Sequence, residues 1–190
     1  KKPNSYQIYG WATSGFRRMW NDRFVAQNSL TLPDIERRKI VYFPLHMEPE
    51  VALLQFAPEF NNTVAAIVWV SKALPADYLL VIKEQATGYS VRSKQFYRRL
   101  KSIPNVVLAH PSSDSWEWIR AAKFISTVTG TVGQEAVHFN KAVISFGRHQ
   151  IINALPTVYH AESVEDVNKA IEILTKEQVS QTELARSRRS

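Results

Sequence analysis

From residue 39 onward, short apolar runs alternate with amphipathic segments, and few architectures can accommodate that rhythm. The strand-like runs are "KIVYFPL" (39–45), "DYLLVIKE" (77–84), "NVVLAH" (105–110), "KFISTVT" (123–129), "KAVISFG" (141–147) and the shorter "PTVYH" (156–160). Between them lie helix-like segments: "NNTVAAIVWVSKAL" (61–74), "SVRSKQFYRRLKS" (90–102), "SDSWEWIRAA" (113–122) and "VGQEAVHFN" (132–140), with "SVEDVNKAIEILTKEQ" (163–178) after the last strand. In the first helix Val64, Ile67, Val68, Ser71 and Leu74 fall on one stripe, with Asn62 or Thr63 as its cap. In the last, Val164, Val167, Ile171 and Leu174 do the same behind a Ser-x-x-Asp start. The strand runs are continuously apolar, as strands covered on both faces are. The spacing therefore predicts an α/β fold: a Rossmann-like parallel sheet with helices on both faces.

Residues 1–38 stand outside that rhythm and are expected to form an extension or linker. Within it "GFRRMWNDRF" suits a helix and "NSLTLPDIERRK" a connector broken at Pro33. The α/β unit is expected over 39–165, with a helix and basic tail over 166–190. No apolar run approaches the roughly 18 residues needed to span a bilayer, and "KKPNSYQIYG" shows no signal-peptide core. The absence of cysteine excludes disulfides and thiolate metal sites. The net charge is +7, and the excess gathers in the first forty residues and at Arg186, Arg188 and Arg189. It is read as solvated surface or as contact with an anionic membrane surface; no nucleic-acid-binding motif is present.

In a parallel sheet of this kind, ligands bind at the carboxyl ends of the strands. Five loops converge there: His46, Glu48 and Glu50; Lys83, Glu84 and Gly88; His110, Ser112, Ser113 and Asp114; Thr129, Gly130, Thr131, Gly133 and Glu135; Gly147, Arg148 and His149. The turn at 129–133 allows two readings. Gly130 and Gly133 admit a ligand close to the backbone, the N–H groups of the following helix and the hydroxyls of Thr129 and Thr131 suit a phosphate, and Glu135 can accept from a ribose. Alternatively, the glycines only let helix and strand pack tightly.

The order of "YFPLHMEPE", "LPADYLLVIKEQ", "IPNVVLAHP" and "STVTGTVGQEAVHFNKAVISFG" resembles the bacterial capsule polysaccharide biosynthesis family, GT-B glycosyltransferases that include Kdo transferases. The resemblance covers residues 39–165 and is most specific in TGTVGxEA with its following K-x-V-I-x-F-G. It implies a nucleotide-sugar donor, CMP- or UDP-linked, bound as substrate by this half of a two-domain enzyme. A glycan or lipid-linked acceptor would stand in the cleft to a further, N-terminal GT-B domain. Thr129, Gly130, Thr131 and Gly133 match the phosphate-facing turn, and Glu135 the carboxylate aimed at the ribose. His46 and Glu50 match the loop facing the cleft; Lys83 and Glu84 begin the family's Lys-Glu-His-Pro segment. His110 stands on a neighbouring donor-side loop, and Gly147 closes the matched strand. Glu48 and Glu50 are the candidate acid–base carboxylates. No Asp-x-Asp motif implies a metal. Departures are Gln85 and Ala86 in place of His-Pro, Gln134 in place of Trp, and Asn140 and Ala142 in place of the Gly and Pro of "GKPV". The expected setting is cytoplasmic, peripheral at the inner membrane. Two rival readings share the architecture: an epimerase-like enzyme acting on a nucleotide sugar, and a non-catalytic binding or assembly module.

Overall fold

In the computed structural model, residues 5–35, 37–46, 63–85, 88–90, 92–128, 132–148 and 151–187 are described. Six strands form one sheet: β1 (Lys39–Pro44), β2 (Tyr78–Lys83), β3 (Val106–Leu108), β4 (Phe124–Thr127), β5 (Val143–Ser145) and β6 (Val158–His160). Their order is β3-β2-β1-β4-β5-β6, and every pairing is parallel. Side chains alternate across the sheet, so each strand feeds two cores. Val41, Phe43, Leu80 and Phe124 point to one; Ile40, Tyr42, Val81 and Ile125 point to the other.

The helices divide accordingly. α1 (Ser5–Gln27), α2 (Thr63–Ala73), α3 (Lys94–Lys101) and α6 (Val164–Ser187) cover the first face, through Val25, Ile67, Tyr97 and Ile171 among others. α4 (Ser115–Ala121) and α5 (Val132–His138) cover the second, through Trp118, Ile119 and Ala136. A Rossmann-like sheet with helices on both faces is what the apolar rhythm predicts.

Local chemistry sets the helix ends. The helix expected from residue 90 begins only at Lys94, because Ser93 is extended (φ −84°, ψ 155°) and its hydroxyl accepts from the Phe96 N–H. A 3₁₀ turn, Gly88–Ser90, precedes the helix. Asp114 caps α4 by accepting from Trp116 N–H. At α6, Ser163 and Asp166 cap each other: Asp166 N–H donates to Ser163 Oγ at 3.1 Å, and Ser163 N–H to Asp166 Oδ2 at 3.0 Å. Asn140 ends α5 in the left-handed region (φ 54°). Lys141 N–H then bonds to Ala136 O and Asn140 N–H to Val137 O, both at 2.9 Å, closing a Schellman turn. Asparagine suits this position, since it tolerates this region better than other side-chain-bearing residues.

The segment before residue 39 is docked on the α/β unit. Val25 is buried in its core, and Asn21 donates to the carbonyls of Tyr89 and Arg92 at 2.8 and 2.6 Å. Leu30 bridges in parallel to Ala109 beside β3. At the other end, Val167, Ile171 and Leu174 carry α6 into the same core as β1.

Candidate functional site

Strand order fixes where a ligand crevice opens. β1 leads to β2 on one side, while its neighbour β4 leads to β5 on the other, so the loops leaving β1 and β4 part at the carboxyl edge. His46 lies just beyond β1 and is 3% exposed. Its Nε2 is 3.0 Å from Thr127 Oγ1, at the end of β4, so the ring spans the switch point. Burial, reinforced by the Arg92 guanidinium, lowers the imidazole to about 4. His46 is therefore neutral near pH 7, and it forms a buried floor between β1 and β4.

On the α4/α5 side of this edge, four elements bring polar groups together. Tyr42 comes from β1 and is buried; Lys83 ends β2 on the same face and is half-buried. Asp114 and Ser115 start α4, and half-buried Glu135 lies in the first turn of α5. Burial pushes the Tyr42 hydroxyl up to about 12; the hydrogen bond with Ser115 opposes this, and the carboxylates of Glu135 and Asp114 add to it. Burial lowers the Lys83 ammonium, and Asp114 and Glu84 partly restore it. The result is a desolvated ammonium with carboxylates nearby, in surroundings where charge acts more strongly than in water.

Glu84 is placed differently. Its side chain points inward, where Arg92 Nη1 donates to both carboxylate oxygens at 2.8 Å, Tyr97 donates to Oε2 at 2.9 Å and the Gln85 N–H to Oε1 at 2.9 Å. Both partners of the ion pair are nearly fully buried. Arg92 Nη2 also donates to the His46 carbonyl, which ties the pair to the end of β1. Gly88 makes room for it: a Cβ there would stand 2.1 Å from Glu84 Oε1 and 2.9 Å from Arg92 Nη1. Glu84 thus braces the edge of the sheet, with its acceptor positions filled by protein donors.

Gly133 is also a packing glycine. A Cβ on it would lie 2.5 Å from Ile152 Cδ1 and 3.5 Å from Thr127 Cγ2, so α5 sits tightly on β4 and the 3₁₀ turn Ile151–Ala154. Gly147 is buried, and its carbonyl accepts from Asn153 Nδ2 at 2.7 Å. His110 stands farther along the edge, with Nδ1 2.9 Å from Ser112 Oγ. It lines a cavity of about 310 Å³ shared with Arg18, Asp22 and Tyr89. Glu48, Glu50, Thr129, Gly130 and Thr131 lie outside the described residues. Among the described residues, no group of three His, Asp or Glu side chains could hold a metal ion, and no helix is long and apolar enough to cross a membrane.

Tyr42, Ser115, Arg92, Tyr97 and Thr127 were not expected at this edge from the sequence. Tyr42 and Thr127 sit inside strand runs, where the apolar pattern hides them. Arg92 lies inside the segment expected to be helical from residue 90, which hides it in the same way.

No protein-family profile and no curated protein matches the chain. Solved structures do. The UDP-GlcNAc 2-epimerase of Methanocaldococcus jannaschii, in complex with UDP-GlcNAc and UDP, aligns with a TM-score of 0.54 at 17% identity, over 85% of this chain and 46% of its own. The β-Kdo 2,7-transferase KpsC of Thermosulfurimonas dismutans aligns with a TM-score of 0.52 at 16% identity, over 88% of this chain and 57% of its own. MnaA of S. aureus, in a co-structure with UDP, aligns with a TM-score of 0.51 at 15% identity, over 76% and 38%. These likenesses fix the class of fold: a Rossmann-like unit of the GT-B kind. This chain corresponds to between 38% and 57% of the length of those three proteins.

Proposed function

We propose that this chain is the donor-binding half of a GT-B glycosyltransferase for surface polysaccharide, with a nucleotide sugar held at the carboxyl edge between β1 and β4. One observation carries the reading: the β3-β2-β1-β4-β5-β6 order opens a switch point beside which Tyr42, Lys83, Asp114 and Glu135 gather. In this reading Glu135 accepts from the ribose, and Lys83 with the hydroxyls of Thr129 and Thr131 meets the phosphate of the donor. Transfer joins the anomeric carbon to an acceptor oxygen, whose proton passes to a base, and breaks the bond to the phosphate oxygen, so negative charge grows on the phosphate of the departing nucleotide, where those donors would act. Glu48 and Glu50 are the carboxylates proposed for acid–base work on a glycan or lipid-linked acceptor, in a cleft to a second domain.

Calorimetric titration of the chain with CMP, UDP and GDP tests the reading. One nucleotide should bind saturably, and Glu135→Ala should weaken it about tenfold or more, the worth of a hydrogen bond to a charged group. Absence of binding both to this chain and to any longer form of the protein defeats it. Binding unchanged by Glu135→Ala removes Glu135 from the site.

A second reading is favoured by two of the structural neighbours, which are UDP-sugar-bound or UDP-bound proteins, one of them described as a 2-epimerase. An epimerase would isomerise a UDP-sugar with no acceptor present. Proton NMR of UDP-GlcNAc incubated with the protein separates the two: a new isomer in the absence of acceptor means epimerase, and nucleotide release that requires an added acceptor means transferase.

A further inference from the structure

The fold uses one side of helix α1, and the opposite side carries large apolar residues. Asn21 and Val25 face inward and are 2% and 1% exposed. Phe16, Met19 and Trp20, spaced three and four residues along the same helix, stand 64%, 58% and 61% exposed on the opposite side. Arg23 falls on that outward stripe one turn further on, and Arg17 borders it on the side toward Phe24; Arg18 turns instead toward the cavity shared with Asp22 and Tyr89. The neighbouring helix α3 extends the positive rim. Lys94 Nζ lies 4.8 Å and Arg98 Cζ 5.9 Å from the ring centroid of Phe24, with exposed Arg99 and Lys101 beyond. Across both helices, seven cations (Arg17, Arg18, Arg23, Lys94, Arg98, Arg99 and Lys101) stand against Asp22 alone.

Three exposed large apolar side chains within one and a half turns, continued by Arg23 and bordered on one side by Arg17 and the α3 cations, form a surface that water solvates poorly and that anions attract. A second copy of this chain fits it badly. A two-fold contact would set each cationic rim against its own copy. A bilayer carrying anionic headgroups satisfies both features at once: Trp and Phe enter the interfacial region, while arginine and lysine stems lie along it with their charges at the phosphates. We propose that the outward face of α1, with Phe16, Met19 and Trp20 as inserting groups and Arg23 and the α3 cations as the electrostatic contact, docks this protein on an anionic membrane surface. Asn21 fastens α1 to the Tyr89 and Arg92 carbonyls, so the docking face lies beside the edge that carries the crevice. The inference does not depend on which nucleotide, if any, that crevice binds.

Co-sedimentation of the full chain with vesicles tests it, using phosphatidylcholine alone and phosphatidylcholine with roughly a third phosphatidylglycerol. The protein should pellet with the anionic vesicles, less so as salt is raised, and stay in solution with the neutral ones. Phe16→Ser with Trp20→Ser should weaken binding at least about tenfold, and Arg23→Glu about fivefold or more, the latter following from the contribution of a single basic residue near a charged surface. Both variants should melt at the wild-type temperature, because the substituted side chains face outward. The proposal is overturned if the anionic vesicles bind no protein. It is overturned equally if both variants pellet like wild type, which would give the attachment to the basic tail. It also fails if Phe16→Ser with Trp20→Ser converts a dimer to a monomer in gel filtration while vesicle binding is unchanged.

Discussion

Removing Arg92 should damage this protein more than its place in a basic segment suggests. Arg92→Met keeps an unbranched apolar stem but deletes the guanidinium. Glu84, 4% exposed, would keep the Tyr97 hydroxyl and the Gln85 N–H as donors but lose the opposite charge. The His46 carbonyl would lose its Arg92 donor in the same step. Stranding one member of a buried ion pair costs about 3–5 kcal/mol, a large share of a stability of about 5–15 kcal/mol. In a domain of this size that is a fall in Tm of about 10 °C. Urea unfolding followed by circular dichroism gives the free energy, and tryptophan fluorescence, to which buried Trp118 contributes, gives an independent transition. The companion variant carries Glu84→Gln as well. With no carboxylate left to bury, most of the loss should return, so the double variant should be more stable than Arg92→Met alone. A loss below about 1 kcal/mol in Arg92→Met would refute the reasoning. A double variant that loses the sum of the two single losses would refute it as well, because independent sites add and a coupled pair does not.

Two other perturbations probe the same edge. His46 is held near 4 in the folded protein, against about 6.5 in an unfolded chain. Its contribution is therefore fully present above pH 6.5 and is lost as pH falls toward 4, by about 3 kcal/mol at most. Urea midpoints measured across that window should fall with acid in wild type and flatten in His46→Gln; a wild-type slope that persists in the variant would assign the acid sensitivity elsewhere. Gly133→Ala should cost about 1–3 kcal/mol, because the new methyl meets Ile152 Cδ1. Adding Ile152→Val, which deletes that atom, should recover much of the cost in a thermal melt. If it recovers none, backbone fit and not Ile152 is what requires glycine at 133.

The sheet was legible because its signal is local. Continuous apolar runs such as "DYLLVIKE" mark doubly covered strands, and β2 indeed places Leu80 and Val81 in different cores. Helix ends were legible where a cap is written in adjacent residues, as at Asp114 and at Ser163 with Asp166. They failed where the deciding residue sits inside the pattern. "SVRSKQFYRRLKS" reads as one helix, yet Ser93 competes for the Phe96 N–H and moves the start to Lys94.

The carboxyl edge was legible as a place where loops meet, but the partners of its residues were not. Parallel order sends every loop after a strand to one edge, so Lys83, His110, Glu135 and Gly147 could be gathered without coordinates. What the residues do there depends on partners far along the chain. Glu84 and Gly88, neighbours in "KEQATG", looked like exposed loop chemistry. They are instead the carboxylate of a buried ion pair and the gap that admits it, and the guanidinium they serve is Arg92. Arg92 in turn reaches back to His46, 46 positions earlier. No spacing rule encodes that link, because the sheet creates it by setting β2 beside β1. The same reasoning separates the glycines of the edge. Gly88 and Gly133 are each required by a side chain that would otherwise be struck, so replacing them tests packing. Nucleotide binding is better tested at Glu135, whose half-buried carboxylate stands beside the desolvated hydroxyl of Tyr42.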